Sequence, residues 1–123
     1  MLGGEFREET RAFNEALRTL MATQPPVESV PAAVTRRARY DGRGIFPPPV
    51  FLPQARWVDA RGVRVRVLAP DAPRGVYLHL HGGGWSLGAA DLQDEGLWHL
   101  VEATGLAAVS VEYRLAPEHP YPA

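Results

Sequence analysis

Residues 79–88 read HLHGGGWSLG, so Gly82, Gly83 and Gly84 follow directly on the apolar run GVYLHL of residues 75–80. Each glycine costs backbone entropy on folding, so three in a row after a strand-like segment need a reason. One reading is a flexible turn. The other is chemical: backbone N–H groups, held rigidly in a dry site, stabilise the negative oxygen that forms when a carbonyl is attacked. Losing one such donor costs about a hundred- to a thousandfold in rate. Aiming main-chain donors at a substrate needs close backbone approach and often φ > 0, and glycine permits both.

The other chemistry-bearing residues narrow the choice. Cysteine is absent, which removes disulfides, thiolate metal sites and thiol nucleophiles. The four histidines, His79, His81, His99 and His119, show no metal-binding spacing with carboxylates, so no metal is expected. His79, inside the strand-like run, reads as a core histidine with its hydrogen bonds satisfied. The serines are Ser29, Ser86 and Ser110, and none stands in a Gly-x-Ser-x-Gly context. All 13 basic residues are arginine, set against 14 acidic ones for a net charge of -1, which points away from nucleic acid and acidic substrates. Arg36, Arg37 and Arg39 read as a solvated face. The N-terminus has no basic and apolar leader, and no stretch approaches the ~20 apolar residues of a membrane span. A soluble, cytoplasmic protein is expected.

These residues need elements to hold them. Residues 5–22 pattern as an amphipathic helix with Phe6, Phe13, Leu17 and Leu20 on one face, ended by Gln24-Pro25-Pro26. Residues 27–53 are rich in proline and charge and show no period, as a linker or a segment packed on something else would. RWVDA and GVRVRVLAP read as two strands joined at Arg61-Gly62. In the second, Val63, Val65 and Val67 alternate with Arg64 and Arg66, so one face is expected buried and the other wet. GVYLHL suits a strand covered on both faces. DLQDEGLWHLVEATG reads as a helix with Asp91 as N-cap, Asp94 and Glu95 in its first turn, a core stripe of Leu97, Leu100 and Val101, and Gly105 at its C-terminal end. LAAVSVEY is a further apolar strand. A hairpin followed by strand, helix and strand argues for an α/β sheet with a parallel portion.

HGGGWSLG, with VEYRLAPEHPYPA about 30 residues downstream, resembles the hormone-sensitive-lipase-like branch of the α/β-hydrolases, the fold-3 esterases and lipases. Glu112 and Tyr121 stand where many members have Asp and Phe. The resemblance implies the N-terminal part of an α/β-hydrolase sheet, an antiparallel first hairpin and then parallel strands in the order 1-2-4-3, with N-terminal cap helices. Residues 1–45 would be the cap segment and 46–123 the N-terminal part of the core, carrying strands 1–4 and the first core helix. It implies that Gly83 and Gly84 supply the oxyanion N–H groups, that His81 braces the loop, and that Trp85 lines the pocket beside the acyl group, unless Trp85 is merely core. Arg114 and Glu118 would be a structural pair, and His119 not a catalytic base. The family's nucleophile elbow lies downstream of YRLAPEH and is not in this sequence, so the chain by itself is expected to be inactive. The implied activity is hydrolysis of small carboxylic esters without a cofactor. Alternatives are an amidase or deacetylase on the same scaffold, or a non-catalytic binding module. Self-association through an exposed sheet edge is also expected.

Overall fold

The computed structural model describes residues 4–122; Met1–Gly3 and Ala123, which the readings of both chain ends include, lie outside the described residues. The chain divides into two compact units, Met1–Pro48 and Pro49–Ala123.

The first unit opens with α1 (Gly4–Ala22), where the seven-four-three spacing placed a helix. Its apolar residues Phe6 and Phe13 are exposed, and Leu17 is half-buried. A 3-10 turn (Val27–Ser29) leads to α2 (Ala32–Tyr40), a second helix in the segment expected to hold cap helices, although residues 27–53 show no period. The reason is physical: α2 has nine residues and buries none of them, so it has no apolar stripe to announce it. Pro31 precedes it, already extended at ψ 136°. The arginine cluster is more engaged than a solvated face. Arg37 Nε lies 3.0 Å from Asp41 Oδ1. Arg39 donates to the Pro47 carbonyl, and its guanidinium carbon lies 5.4 Å from the Phe46 ring centroid.

The second unit is a four-stranded sheet with one helix packed on it. β1 (Arg56–Ala60) and β2 (Val63–Leu68) form the expected hairpin, Ala60 pairing with Val63 across a two-residue turn. Arg61 (φ 58°) and Gly62 (φ 88°) both adopt positive φ, as the hairpin twist demands. β3 (Val76–Leu80) runs parallel to β4 (Ala107–Val111), while β2 pairs antiparallel with β4. The resulting order is β1-β2-β4-β3, the order the family resemblance implied.

α3 (Asp94–Thr104) crosses between the parallel strands and packs Leu97 and Val101 against Leu68 and Ala108, with Leu52, Ala55 and Trp98 around them. Leu100 is only half-buried. Asp91 is not the N-cap: residues 90–93 form turns, and the first helical bond runs from Leu97 N–H to Gln93 C=O. Starting there sets Asp94 in the helix's first turn, where its carboxylate accepts from Arg66 Nε (3.1 Å) and Nη2 and from Leu52 N–H (3.0 Å). That contact corrects the reading of β2 as well. Arg66 is 7% exposed, because its partner lies on the helix side of the sheet, while Val63 at the strand's outer end is exposed. Gly105 ends α3 in the left-handed region (φ 70°), and Arg74 Nε donates to the Thr104 carbonyl at 2.6 Å.

β3 lies at the sheet edge, as the expected exposed edge, with Val76, Leu78 and Leu80 exposed because no described helix of the second unit packs on that face. Its apolar sequence describes what the strand needs, not what covers it here. Among the described residues no helix is long and apolar enough to cross a membrane.

Candidate active site

β3 and β4 are parallel, so both deliver their next residues to the same end of the sheet, where open α/β sheets bind their ligands. After β3 come His81 and the three glycines; after β4 come Glu112, Tyr113 and the turn towards His119. Hydrogen bonds tie the two segments together. The Ala90 N–H donates to Glu112 Oε2 (2.7 Å), the Ala116 N–H to the Trp85 carbonyl (2.9 Å), and the Tyr113 hydroxyl to the His81 carbonyl (2.5 Å). Glu112 therefore holds the loop's far end.

The glycine loop folds back on itself. Ser86 N–H (3.2 Å) and Leu87 N–H (2.9 Å) both donate to the Gly83 carbonyl. Gly83 (φ 128°), Gly84 (φ 59°) and Gly88 (φ 89°) all have positive φ. At Gly83 a Cβ would lie 2.1 Å from the Leu87 carbonyl oxygen, so no other residue fits. Gly84 has open space around its α-carbon. No acceptor among the described residues takes the N–H of Gly83 or Gly84, and both residues are exposed. The loop thus presents two main-chain donors from a turn closed by its own hydrogen bonds.

Trp85 is not core. It is 78% exposed and, at φ 58°, occupies a region that side chains other than glycine visit at a cost.

His81 is 5% exposed at the root of the loop. Its ring stacks on Tyr113, centroids 4.1 Å apart and planes 12° off parallel. Nδ1 lies 2.9 Å from the Gly82 carbonyl oxygen and 3.2 Å from the Tyr113 hydroxyl. Burial, and then the charge of Glu112, push the Tyr113 phenol above its ordinary 10, so it stays a donor. Nε2 of His81 is buried with no partner among the described residues.

Half-buried His79 pairs with the fully buried Ser110, Nδ1 to Oγ 2.9 Å. Burial, followed by the neighbouring His81, holds the His79 pKa below its ordinary 6.5, and a hydrogen bond with Gln93 opposes this. Ser110 is fully buried in the middle of β4, so this pair is a core contact and not a nucleophile with its base. His119 is exposed in the turn after β4. Sequence reasoning missed Tyr113 and Gly88 at this site. The fourth glycine of HGGGWSLG was the available signal for Gly88, but nothing in a linear pattern pairs Tyr113 with His81.

A family model described as the alpha/beta hydrolase fold matches residues 77–123, the stretch that holds the glycine loop, α3, β4 and the turn after it. The chain is homologous to α/β-hydrolases of the esterase type over this stretch. Among curated relatives, carboxylesterase NlhH of Mycobacterium tuberculosis is 42% identical over 123 residues, covering 90% of this chain and 38% of NlhH. Esterase LipI of the same organism is 34% identical over 114 residues, covering 91% of this chain and 30% of LipI. Among solved structures, EstE5-PMSF superposes with a TM-score of 0.69 at 26% identity, covering 94% of this chain and 38% of that one. The chain thus spans 30 to 38% of these relatives' length, and it matches the N-terminal part of the esterase structures.

Proposed function

We propose that this chain carries the oxyanion-stabilising part of a carboxylic ester hydrolase acting on small esters of short or medium acyl chain, without a cofactor. One observation carries the reading: Gly83 and Gly84 present unpaired N–H groups from a strained, tightly bonded loop at the carboxyl end of β3. When a nucleophile adds to the ester carbonyl, the oxygen gains charge and accepts from both donors, which are already in place and need no reorganisation. His81 braces the loop beneath them. Trp85, exposed beside the donors, lines the acyl side and bears on chain length more than on turnover. NlhH and LipI carry the names carboxylesterase and esterase, which supports the ester over an amide as substrate. Residues 1–45 fit a cap segment, and a cytoplasmic location fits a chain whose described helices cross no membrane.

The exposed apolar face of β3 favours a second reading, a non-catalytic module that binds a small ligand or a partner chain. The exposed apolar edge at β3 supports self-association in either case.

The test supplies the missing nucleophile. The chain is joined to the part of NlhH beyond its matched region, and hydrolysis of p-nitrophenyl butyrate is followed. Turnover that Gly84→Ala lowers about a hundredfold in kcat supports the proposal. A folded chimera that hydrolyses the ester equally well with either alanine places the hole elsewhere.

A further inference from the structure

The Gly83 donor points where it does only if the peptide unit between Gly82 and Gly83 is held in one orientation. That unit is planar and trans, so its carbonyl and its N–H point in opposite directions. The Gly82 carbonyl oxygen lies against His81 Nδ1 at 2.9 Å, which turns the Gly83 N–H to the other side. The ring must then carry its proton on Nδ1. Both groups facing Nδ1 are acceptors: the Gly82 carbonyl, and the Tyr113 oxygen, whose own proton goes to the His81 carbonyl. The Tyr113 ring, stacked at 4.1 Å, fixes the plane of the imidazole. Gly88 closes the arrangement from outside. A Cβ there would lie 2.3 Å from the Gly82 oxygen and 2.5 Å from His81 Nδ1, so only glycine leaves room for the contact.

We infer that Tyr113 and Gly88 are positioning residues for the Gly83 N–H, holding the His81 imidazole as its Nδ1–H tautomer against the Gly82 carbonyl. The inference deepens the oxyanion reading and rests on it for its meaning, but its geometry stands without any ester.

The test reads the tautomer directly. The 123-residue chain is labelled with 15N-histidine, and ring-nitrogen spectra are recorded in solution, or in the solid if the chain assembles. His81 is assigned by difference from His81→Gln. A protonated Nδ1 and a bare Nε2 in the wild type support the clamp; a bare Nδ1 overturns it. Tyr113→Phe keeps the stack and removes one acceptor of the Nδ1 proton, so the tautomer ratio falls about tenfold, the worth of one hydrogen bond. An unchanged ratio in folded Tyr113→Phe removes Tyr113 from the role. Gly88→Ala shifts the ratio further towards Nε2–H, while Tyr121→Phe, at a fully exposed ring, leaves it as in the wild type. Should a variant fail to fold, the wild-type tautomer still decides. No ester is turned over in this experiment. A bare Nδ1 therefore refutes the clamp and spares the oxyanion assignment, and an inactive chimera with Nδ1 protonated does the reverse.

Discussion

Gly83 and Gly84 differ in what a methyl group would meet, and the difference separates fold from chemistry. At Gly83 the new carbon runs into the Leu87 carbonyl, so Gly83→Ala must move backbone and lowers both stability and activity. At Gly84 there is open space, and the substitution costs only the left-handed conformation, about 1–2 kcal/mol. Gly84→Ala is therefore the cleaner probe. In a nucleophile-bearing chimera the new Cβ takes space that the ester carbonyl would occupy beside the donor, so kcat should drop about a hundredfold while urea unfolding shifts only modestly. His79 carries a second residue-scale prediction. Its folded pKa lies below 6.5, chiefly through burial, so between that lowered value and 6.5 the unfolded chain binds more protons than the folded one. This contribution to stability is fully present above pH 6.5 and is lost as the pH falls through the lowered value. Urea unfolding from pH 7 to 5 should show the slope, and His79→Gln should flatten it.

Among the elements, α3 is held to the sheet by apolar packing and by one buried ion pair. Asp94 has no exposed side-chain surface and Arg66 has 9%. Removing one partner leaves the other charge buried and unmatched, so Asp94→Ala should cost about 3–5 kcal/mol in a denaturant titration. Replacing both, as Arg66→Met with Asp94→Leu, should cost much less than either single change, because no orphaned charge remains. At the other end of α3, Gly105→Ala forces a side chain into φ 70° and brings its Cβ within 3.2 Å of Arg74 Nε, which caps Thr104. About 1–2 kcal/mol should be lost there.

At the scale of the whole molecule, the surface of the second unit is dominated by the edge strand. Val76, Leu78 and Leu80 are 68, 62 and 64% exposed on a strand with no lysine or proline to blunt its free edge. The chain should self-associate at tens of micromolar by light scattering, and Leu78→Lys, which sets a charge on that edge, should reduce the association. A monodisperse wild-type monomer with a cooperative thermal transition contradicts this and strengthens the reading as a stand-alone module.

The sequence by itself determined α1, the four strands, the Arg61-Gly62 turn and the left-handed end of α3 at Gly105. Each of these is written in local spacing: a period of 3.6 or 2, or a glycine where φ must be positive. The strand order and the oxyanion roles came from family resemblance and not from spacing. What only the tertiary structure decided involves residues far apart in the chain. Arg66 alternates like a solvent-facing residue and is buried because Asp94, 28 positions away, meets it across the sheet. Tyr113 reaches His81 only because β3 and β4 are parallel neighbours and end side by side. Burial and pairing are properties of neighbours in space, and periodicity reports only neighbours along an element. The apolar run of β3 states that the strand favours cover on both faces, but the chain's own packing leaves it at the edge of the sheet.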